Sequence, residues 1–392
     1  MLGLCTHVCG SGDQPPRPIR TILLDDGSEK RLNDIRRFGR ERDDRNGLNG
    51  RNGSANGLNG HSRPSATTVA VVGLGYWGPN LLRVLFELPD VRVKYACDLD
   101  TARLAKAIRR YPSVEPTTEF AQVLDDPEVD AVFIATPVFT HFSLASLALE
   151  AGKHVFVEKP PAMRAAEMEE LVRLAEERGL VLMPGHLLLY HPGVQKLKEL
   201  VDSGQLGDVL CVYGNRQNLG IIRTNENALW SLGVHDLSVI LYLIGEQPSQ
   251  AIANGNAFLN AGVEDVVFCY LQFPSGKIAH MHLSWLDPHK MRRITVVGKD
   301  KMVVFDDMAL ERKVTVYEKG PWQPAENYGE WRTRTGDIFS PRIPNDEPLR
   351  LECSHFLELV ANGPGDGKEA RDGLAVVRAL EALQSTLAGA RV

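Results

Sequence analysis

From residue 67 onward the chain alternates short apolar runs with longer stretches in which apolar residues recur every three or four positions. Residues 69–72 (VAVV), 91–97, 129–135 (VDAVFIA), 154–157 and 180–183 are runs of strand length. Residues 79–88, 101–110, 142–151 and 167–178 carry helical spacing, and Gly152 and Gly179 stop the last two. Strands alternating with helices predict an α/β Rossmann-type domain, a doubly wound parallel sheet. After Pro184 the rhythm changes. Residues 194–203 and 235–244 read as helices. Residues 209–216, 250–256, 265–273, 277–286, 291–298 and 301–305 read as strands, and 349–361 and 373–388 as a closing helical pair. Strand runs gathered in this way predict an α+β C-terminal domain with a largely antiparallel open sheet.

Residues 1–66 share neither rhythm. Residues 45–61 read RNGLNGRNGSANGLNGH, an Asn/Gly-rich tract with no apolar face to bury, and only residues 22–24 form a short apolar patch before it. The expected organisation is a disordered low-complexity extension over 1–66, a nucleotide-binding domain over 67–186 and an α+β domain over 187–392.

Composition narrows the field. A net charge of −6 and a pI near 6.0 supply no basic field for nucleic acid. No run of 18 apolar residues predicts a membrane span. The first residues lack the charged and apolar regions of a secretory signal. Of six scattered cysteines, Cys97, Cys211, Cys269 and Cys353 sit in apolar runs, which suits small buried hydrophobes in a reducing, cytoplasmic compartment. Cys5, His7 and Cys9 have no second pair at zinc spacing, so no metal is expected.

The first strand runs into Gly73-Leu74-Gly75-Tyr76-Trp77-Gly78, a G-x-G-x-x-G. The first glycine permits a tight turn, the second lets backbone approach a pyrophosphate, and the third lets the next helix pack on the strand. Pro79 suits a first helical turn whose N–H groups would face the phosphates. Asp98 follows Gly78 by 20 positions, at the end of the second strand. An acid there bonds the ribose hydroxyls and favours NAD over NADP, although Arg103 lies close enough in sequence to meet a 2′-phosphate. The alternative is a turn residue capping the next helix, with Asp100 the competing cap.

Ligands of such sheets bind at the carboxyl ends of strands. Two further ends carry special residues: Thr136-Pro137, followed by His141, and Glu158-Lys159-Pro160. Lys159 can hydrogen-bond a hydroxyl or alkoxide and shifts its pKa when desolvated; the plainer reading is a surface lysine paired with a carboxylate. His235, after Gly233 at the head of an apolar helix, titrates near neutrality and can act as a base; the plainer reading is a cap or core histidine.

Taken together, GLGYWG, Thr136-Pro137 with His141, and Glu158-Lys159-Pro160 resemble the Gfo/Idh/MocA family of oxidoreductases, from about residue 67 to the C-terminus. The resemblance implies a Rossmann domain coupled to an open-sheet substrate domain, NAD as cofactor, and a catalytic pair at Lys159 and His235. It places the cofactor on Gly73, Gly75, Tyr76, Trp77, Gly78, Asp98, Thr136, Pro137, His141, Glu158 and Lys159. It also implies a homo-oligomer, dimer or tetramer, packed through the open sheet. Many members carry an aspartate four residues before the histidine, where this chain has Ser231. Residues 185–192, 215–236 and 284–298 are similar to the UDP-N-acetylglucosaminuronate 3-dehydrogenase branch, with Gly233-Val234 in place of the usual Ala-Pro.

That branch implies oxidation of a sugar C3 hydroxyl, with substrate held by Lys159, Asn215, Arg216, Asn218, Arg223 and His235. His289, Lys290, Arg292 and Arg293 lie in the same stretches and could serve a diphosphate or carboxylate, or form ion pairs on the sheet. His186 and Tyr190 fit either the pocket or the core. Two other readings stay open: a dehydrogenase of a free sugar or polyol, and a non-catalytic NAD(H)-binding protein.

Overall fold

The computed structural model describes residues 21–23, 29–31, 66–224, 226–324 and 331–389. The chain divides into two units, Met1–Ser62 and Arg63–Val392. In the first, where no packed core was expected, β1 (Thr21–Leu23) and β2 (Glu29–Arg31) pair antiparallel, with Thr21 opposite Arg31. The Asn/Gly tract and Cys5, His7 and Cys9 lie outside the described residues.

The second unit opens with β3 (Thr67–Val72), α1 (Gly78–Glu87), β4 (Val91–Cys97), α2 (Thr101–Arg110), β5 (Glu115–Thr117), α3 (Phe120–Asp125), β6 (Ala131–Ile134), α4 (His141–Glu150), β7 (His154–Glu158), α5 (Ala165–Arg178) and β8 (Leu182–Gly185). The six strands are all parallel, in the order β5-β4-β3-β6-β7-β8. Chain direction across the sheet reverses between β3 and β6, so a crevice opens at their carboxyl ends, the place where such folds take a nucleotide. Alternation in the strands builds two apolar layers. Ala70, Val72, Val132, Ile134, Val155 and Val157 face one side, and Val69, Val71, Ala131, Phe133 and Phe156 the other.

Next come α6 (Pro192–Asp202), β9 (Val209–Gln217), α7 (Val234–Ile244), β10 (Gln250–Asn256), β11 (Val266–Gln272), β12 (Ile278–Ser284), β13 (Met291–Gly298), β14 (Met302–Asp306), β15 (Val314–Pro324) and β16 (Trp331–Phe339). These eight strands order as β10-β11-β12-β9-β13-β14-β15-β16. Every pair is antiparallel except β12 with β9. One face packs on α6 and α7, and the other leaves Ile252, Phe268, Tyr270 and Ile278 exposed.

The chain ends in α8 (Pro348–Asn362) and α9 (Lys368–Gly389). Both return to the first sheet. Leu349, Cys353 and Phe356 of α8 join the layer built on Phe133 and Phe156, where Phe356 meets both rings edge-on at 5.0 and 5.8 Å. Ala370, Leu374 and Val377 of α9 join the opposite layer. The other side of α9, through Val376, Leu380 and Leu383, packs into the core of the second sheet. One helix thus spans both domains. No helix among the described residues is long and apolar enough to cross a membrane.

Candidate functional site

The loop from β3 to α1 shows why each glycine stands where it does. Gly73 has φ +91°, and a Cβ there would meet the Ala135 carbonyl oxygen at 2.6 Å, so the first turn lies directly on the end of β6. A Cβ at Gly78 would sit 1.9 Å from the Gly73 carbonyl oxygen, so α1 starts in contact with the turn. A Cβ at Gly75 would meet only Arg103 Nη1, at 3.9 Å. Bare backbone at Gly75 therefore faces open space beside the start of α1, where the Asn80 and Leu81 N–H groups turn back onto the Trp77 carbonyl. This is the shape a pyrophosphate needs, and the loop fits a dinucleotide. Tyr76 is exposed and stacks against Trp77 with centroids 6.5 Å apart.

Asp98 ends β4 beside this loop. Its Oδ2 accepts the Leu74 N–H at 2.6 Å and its Oδ1 accepts the Asp100 N–H at 2.8 Å. It orders the glycine turn, while Asp100 caps α2 by accepting from Ala102 and Arg103. Arg103 reaches 3.7 Å from Asp98 Oδ2 and 3.3 Å from Asp100 Oδ2.

At the end of β6, Thr136 Oγ1 lies 2.7 Å from Thr140 Oγ1, and the Pro137 carbonyl accepts from the Thr140 N–H and hydroxyl. His141 is buried beneath this turn rather than facing the crevice. Its Nε2 is 2.8 Å from the Thr136 carbonyl and its Nδ1 is 2.8 Å from the Pro160 carbonyl. It braces the ends of β6 and β7 against each other. Burial lowers its pKa, against the pull of the two carbonyls.

The end of β7 presents Glu158 and Lys159, followed by a cis peptide to Pro160. Glu158 lies over bare Gly185 of β8, where a Cβ would come within 3.3 Å of its carboxyl, and its Oε2 accepts the Lys159 N–H at 3.4 Å. Burial pushes the Glu158 carboxyl up, with Lys159 opposing. Burial pulls Lys159 down, with Glu158 and then Glu226 holding its charge.

The second domain meets this end through α7. A π-helical turn over Leu229–Gly233 precedes it and delivers His235 into its first turn. Gly233 permits a close fit, since a Cβ there would sit 2.7 Å from Leu283 Cδ1. The His235 pKa lies well below its ordinary value, first through burial and then through Lys159, Arg216, His186 and Arg292. His186, just after β8, is buried with Nε2 unpartnered, and burial with Lys159 pushes it down to about 4. Lys159, His186 and His235 thus form one desolvated cluster.

The residues expected to hold substrate separate. Arg216 points under the sheet toward α7, where its Nη2 is 2.6 Å from Asp236 Oδ1. Its strand neighbour Asn215 faces the other side, beside Gln217 and His282. The two cannot line one pocket. Asn218 follows the strand and folds its amide over Gly220. Arg223 acts on Lys159 and pairs with Glu226 at 2.9 Å. Arg292 and Arg293 pair with Asp307 and Asp306, and His289 lies 3.8 Å from Asp287. Tyr190 is half-buried against Met183 and His355. Sequence reasoning passed over Glu226, whose signal was an acid three residues after Arg223. It also passed over Glu352, an acid inside the apolar stripe of α8.

Residues 67–186 match the Gfo/Idh/MocA oxidoreductase family, NAD-binding Rossmann fold. Residues 194–304 match the C-terminal domain of the same family. A solved protein of Magnetospirillum magnetotacticum MS-1 is 31% identical with a TM-score of 0.70, and the match covers 81% of this chain and 100% of that one. A UDP-N-acetylglucosamine 3-dehydrogenase of Acidithiobacillus ferrooxidans is 29% identical over 54% of this chain and 63% of its own length. A scyllo-inositol 2-dehydrogenase (NAD(+)) of Bacillus subtilis is 25% identical over 75% of this chain and 86% of its own. The chain spans 59–64% of the length of three further curated relatives. With a six-stranded parallel sheet, a glycine turn shaped for a dinucleotide and an open second sheet, the chain belongs to the Gfo/Idh/MocA family of oxidoreductases, whose cofactor is NAD.

Proposed function

We propose that the protein is an NAD-dependent dehydrogenase that oxidises the C3 hydroxyl of a UDP-sugar uronate, similar to UDP-N-acetylglucosaminuronate, to the 3-keto sugar. The observation that carries the reading is the meeting of Lys159 and His235, from different domains, in one desolvated cluster at the mouth of the first sheet. Gly73, Gly75, Tyr76, Trp77 and Gly78 would hold the pyrophosphate side of NAD, and Asp98 the adenosine ribose, with Thr136, Pro137 and Glu158 toward the nicotinamide. Bound there, NAD supplies the hydride acceptor. His141 acts from below, keeping the two strand ends in register.

His235 is the base. Burial and neighbouring cations keep its imidazole neutral at pH 7, so it can take the hydroxyl proton. The same cations make the imidazolium a ready proton donor, so the proton passes on. Lys159 donates to the substrate oxygen and steadies the charge that develops on it. Glu158 and Glu226 keep Lys159 charged against its burial. Arg216 and Arg223 stand near the cluster, and the stretches 215–236 and 284–298 support a nucleotide-sugar substrate. A homo-oligomer built on the exposed face of Phe268 and Tyr270 belongs to the same reading. So does a cytoplasmic location, which suits the free thiols of Cys97, Cys211, Cys269 and Cys353.

A second reading, oxidation of a free sugar or polyol, is favoured by one observation. Arg216, Arg223, Arg292 and Arg293 each already face a carboxylate, which leaves fewer cations for a diphosphate. The test is NADH formation with NAD and UDP-N-acetylglucosaminuronate, with and without 2-oxoglutarate to recycle tightly held cofactor. Keto product under either condition supports the proposal. Product only from free sugars moves the assignment to the second reading. NAD binding with no product from any sugar discards both.

A further inference from the structure

His235 stands in the first turn of α7, so whatever fixes the start of that helical run fixes the proposed base. The run begins at Asn227. Its Oδ1 accepts the Trp230 N–H at 3.2 Å and its carbonyl accepts the Ser231 N–H at 3.0 Å, the two bonds of a helix N-cap. The π-helical turn of Leu229–Gly233 follows at once. Such turns are rare and short, so this one needs support from outside its own ladder. Three side chains supply it. Asn227 Nδ2 gives one proton to Glu264 Oε2 at 2.7 Å and the other to Gln384 Oε1 at 2.9 Å. The same Gln384 oxygen accepts the Trp230 Nε1–H at 3.1 Å. Asn227 and Trp230 are both buried, so without that oxygen their donors would be left unpaired away from water.

We propose that Gln384 is a positioning residue of the active site: its side-chain oxygen grips Asn227 and Trp230, holds the π turn closed and so fixes His235 at the head of α7. The role rests on the reading of His235 as the base. Gln384 belongs to α9, whose Leu374 and Val377 pack on the sheet that carries Lys159. Two turns further along, the same helix clamps the start of α7. The proposed catalytic pair comes from two domains, and α9 gives both members a common reference. Loss of the oxygen opens the π turn and the first turn of α7 locally, while Leu237, Val239 and Ile240 keep the rest of the helix in the core. His235 is partly exposed in the closed turn, and opening exposes it further.

The test is the rate at which diethyl pyrocarbonate labels His235 at pH 7, read by peptide mass spectrometry on the full chain without substrate. Exposed His289 serves as the internal reference. Gln384→Met keeps the shape of the side chain and removes the acceptor. It should raise the labelling of His235 relative to His289 by about tenfold, the factor that one unpaired buried donor adds to a local opening. Gln384→Glu keeps an oxygen acceptor and should restore the wild-type ratio. A ratio unmoved in Gln384→Met, or raised equally in both variants, overturns the proposal. Thermal melts verify that each variant is folded. Should Gln384→Met fail to fold, Trp230→Phe removes one of the two donors and is read in the same way: an unchanged ratio overturns the proposal. Labelling needs no turnover, so a failure to oxidise any sugar bears on the functional reading alone.

Discussion

Arg216 and Asp236 form a buried ion pair between β9 and the start of α7. The Arg216 Nε donates to Asp236 Oδ1 at 2.7 Å, and Nη2 lies 2.6 Å from the same oxygen. Asp236 is the residue after His235, so the pair pins the helical turn that carries the proposed base. Gly214 leaves the room it needs, because a Cβ there would sit 2.8 Å from Asp236 Oδ2. Removing one partner strands the other charge. Asp236→Ala should cost about 3–5 kcal/mol of stability, read from denaturant midpoints. Replacing both with apolar residues of similar volume should recover most of that loss.

The glycine turn predicts two opposite phenotypes. Gly78→Ala forces a methyl into the Gly73 carbonyl and should destabilise the fold by about 3 kcal/mol or more. Gly75→Ala meets open space in the protein. It should fold with wild-type stability and lose NAD affinity. Thermal melts and NAD titrations of the two variants separate the roles, and normal NAD binding by Gly75→Ala would count against the pyrophosphate placement.

His235→Asn should lower turnover by about 10²–10⁴-fold while leaving the melting temperature near wild type. The pH profile gives a second check. Because burial and nearby cations hold His235 below its ordinary value, kcat/KM should stay flat through neutral pH. On the acid side it should fall, as the imidazole protonates, below the ordinary histidine value. A midpoint at or above the ordinary histidine value would reassign the base.

His355 of α8 lies 3.1 Å from Glu369 of α9, and this hydrogen bond raises the His355 pKa. The folded protein therefore holds this proton more tightly than the unfolded chain. The stabilisation is fully present below the ordinary histidine value and is lost as pH rises through the folded one. Half-exposed as the pair is, its contribution should be about 1 kcal/mol or less. His355→Ala should flatten the loss of stability between neutral and mildly alkaline pH, measured by urea denaturation at a series of pH values.

The elements with strong periodicity were legible from sequence. The residues forming α2, β10 and β13 are the ones the pattern picks out, because each carries a clean helical or alternating run between polar boundaries. Short or mixed elements were not. The pattern of residues 115–117 is too brief to read, β15 mixes charges, glycine and proline, and β16 runs almost entirely along exposed positions. At the site, the glycine turn and Lys159 were visible because strand ends announce themselves. The separation of Asn215 from Arg216 follows from strand alternation, which a list of cations and amides ignores. The burial of His141 could not be read, since it depends on two carbonyls from different strand ends. The parallel pairing of β12 with β9 is likewise set by tertiary order rather than by either strand's residues.

The return of α8 and α9 to the first sheet has a consequence for synthesis. Each covers a different face of that sheet, through Phe356 on one side and Leu374 and Val377 on the other. As the chain leaves the ribosome, the nucleotide-binding half emerges first, with α1 and α2 on one apolar layer and α4 and α5 on the other, yet part of each layer stays uncovered until α8 and α9 appear. Its packing is therefore completed only once α9 has been made. A nascent chain stalled anywhere before α8 exposes two sticky surfaces for a chaperone to hold.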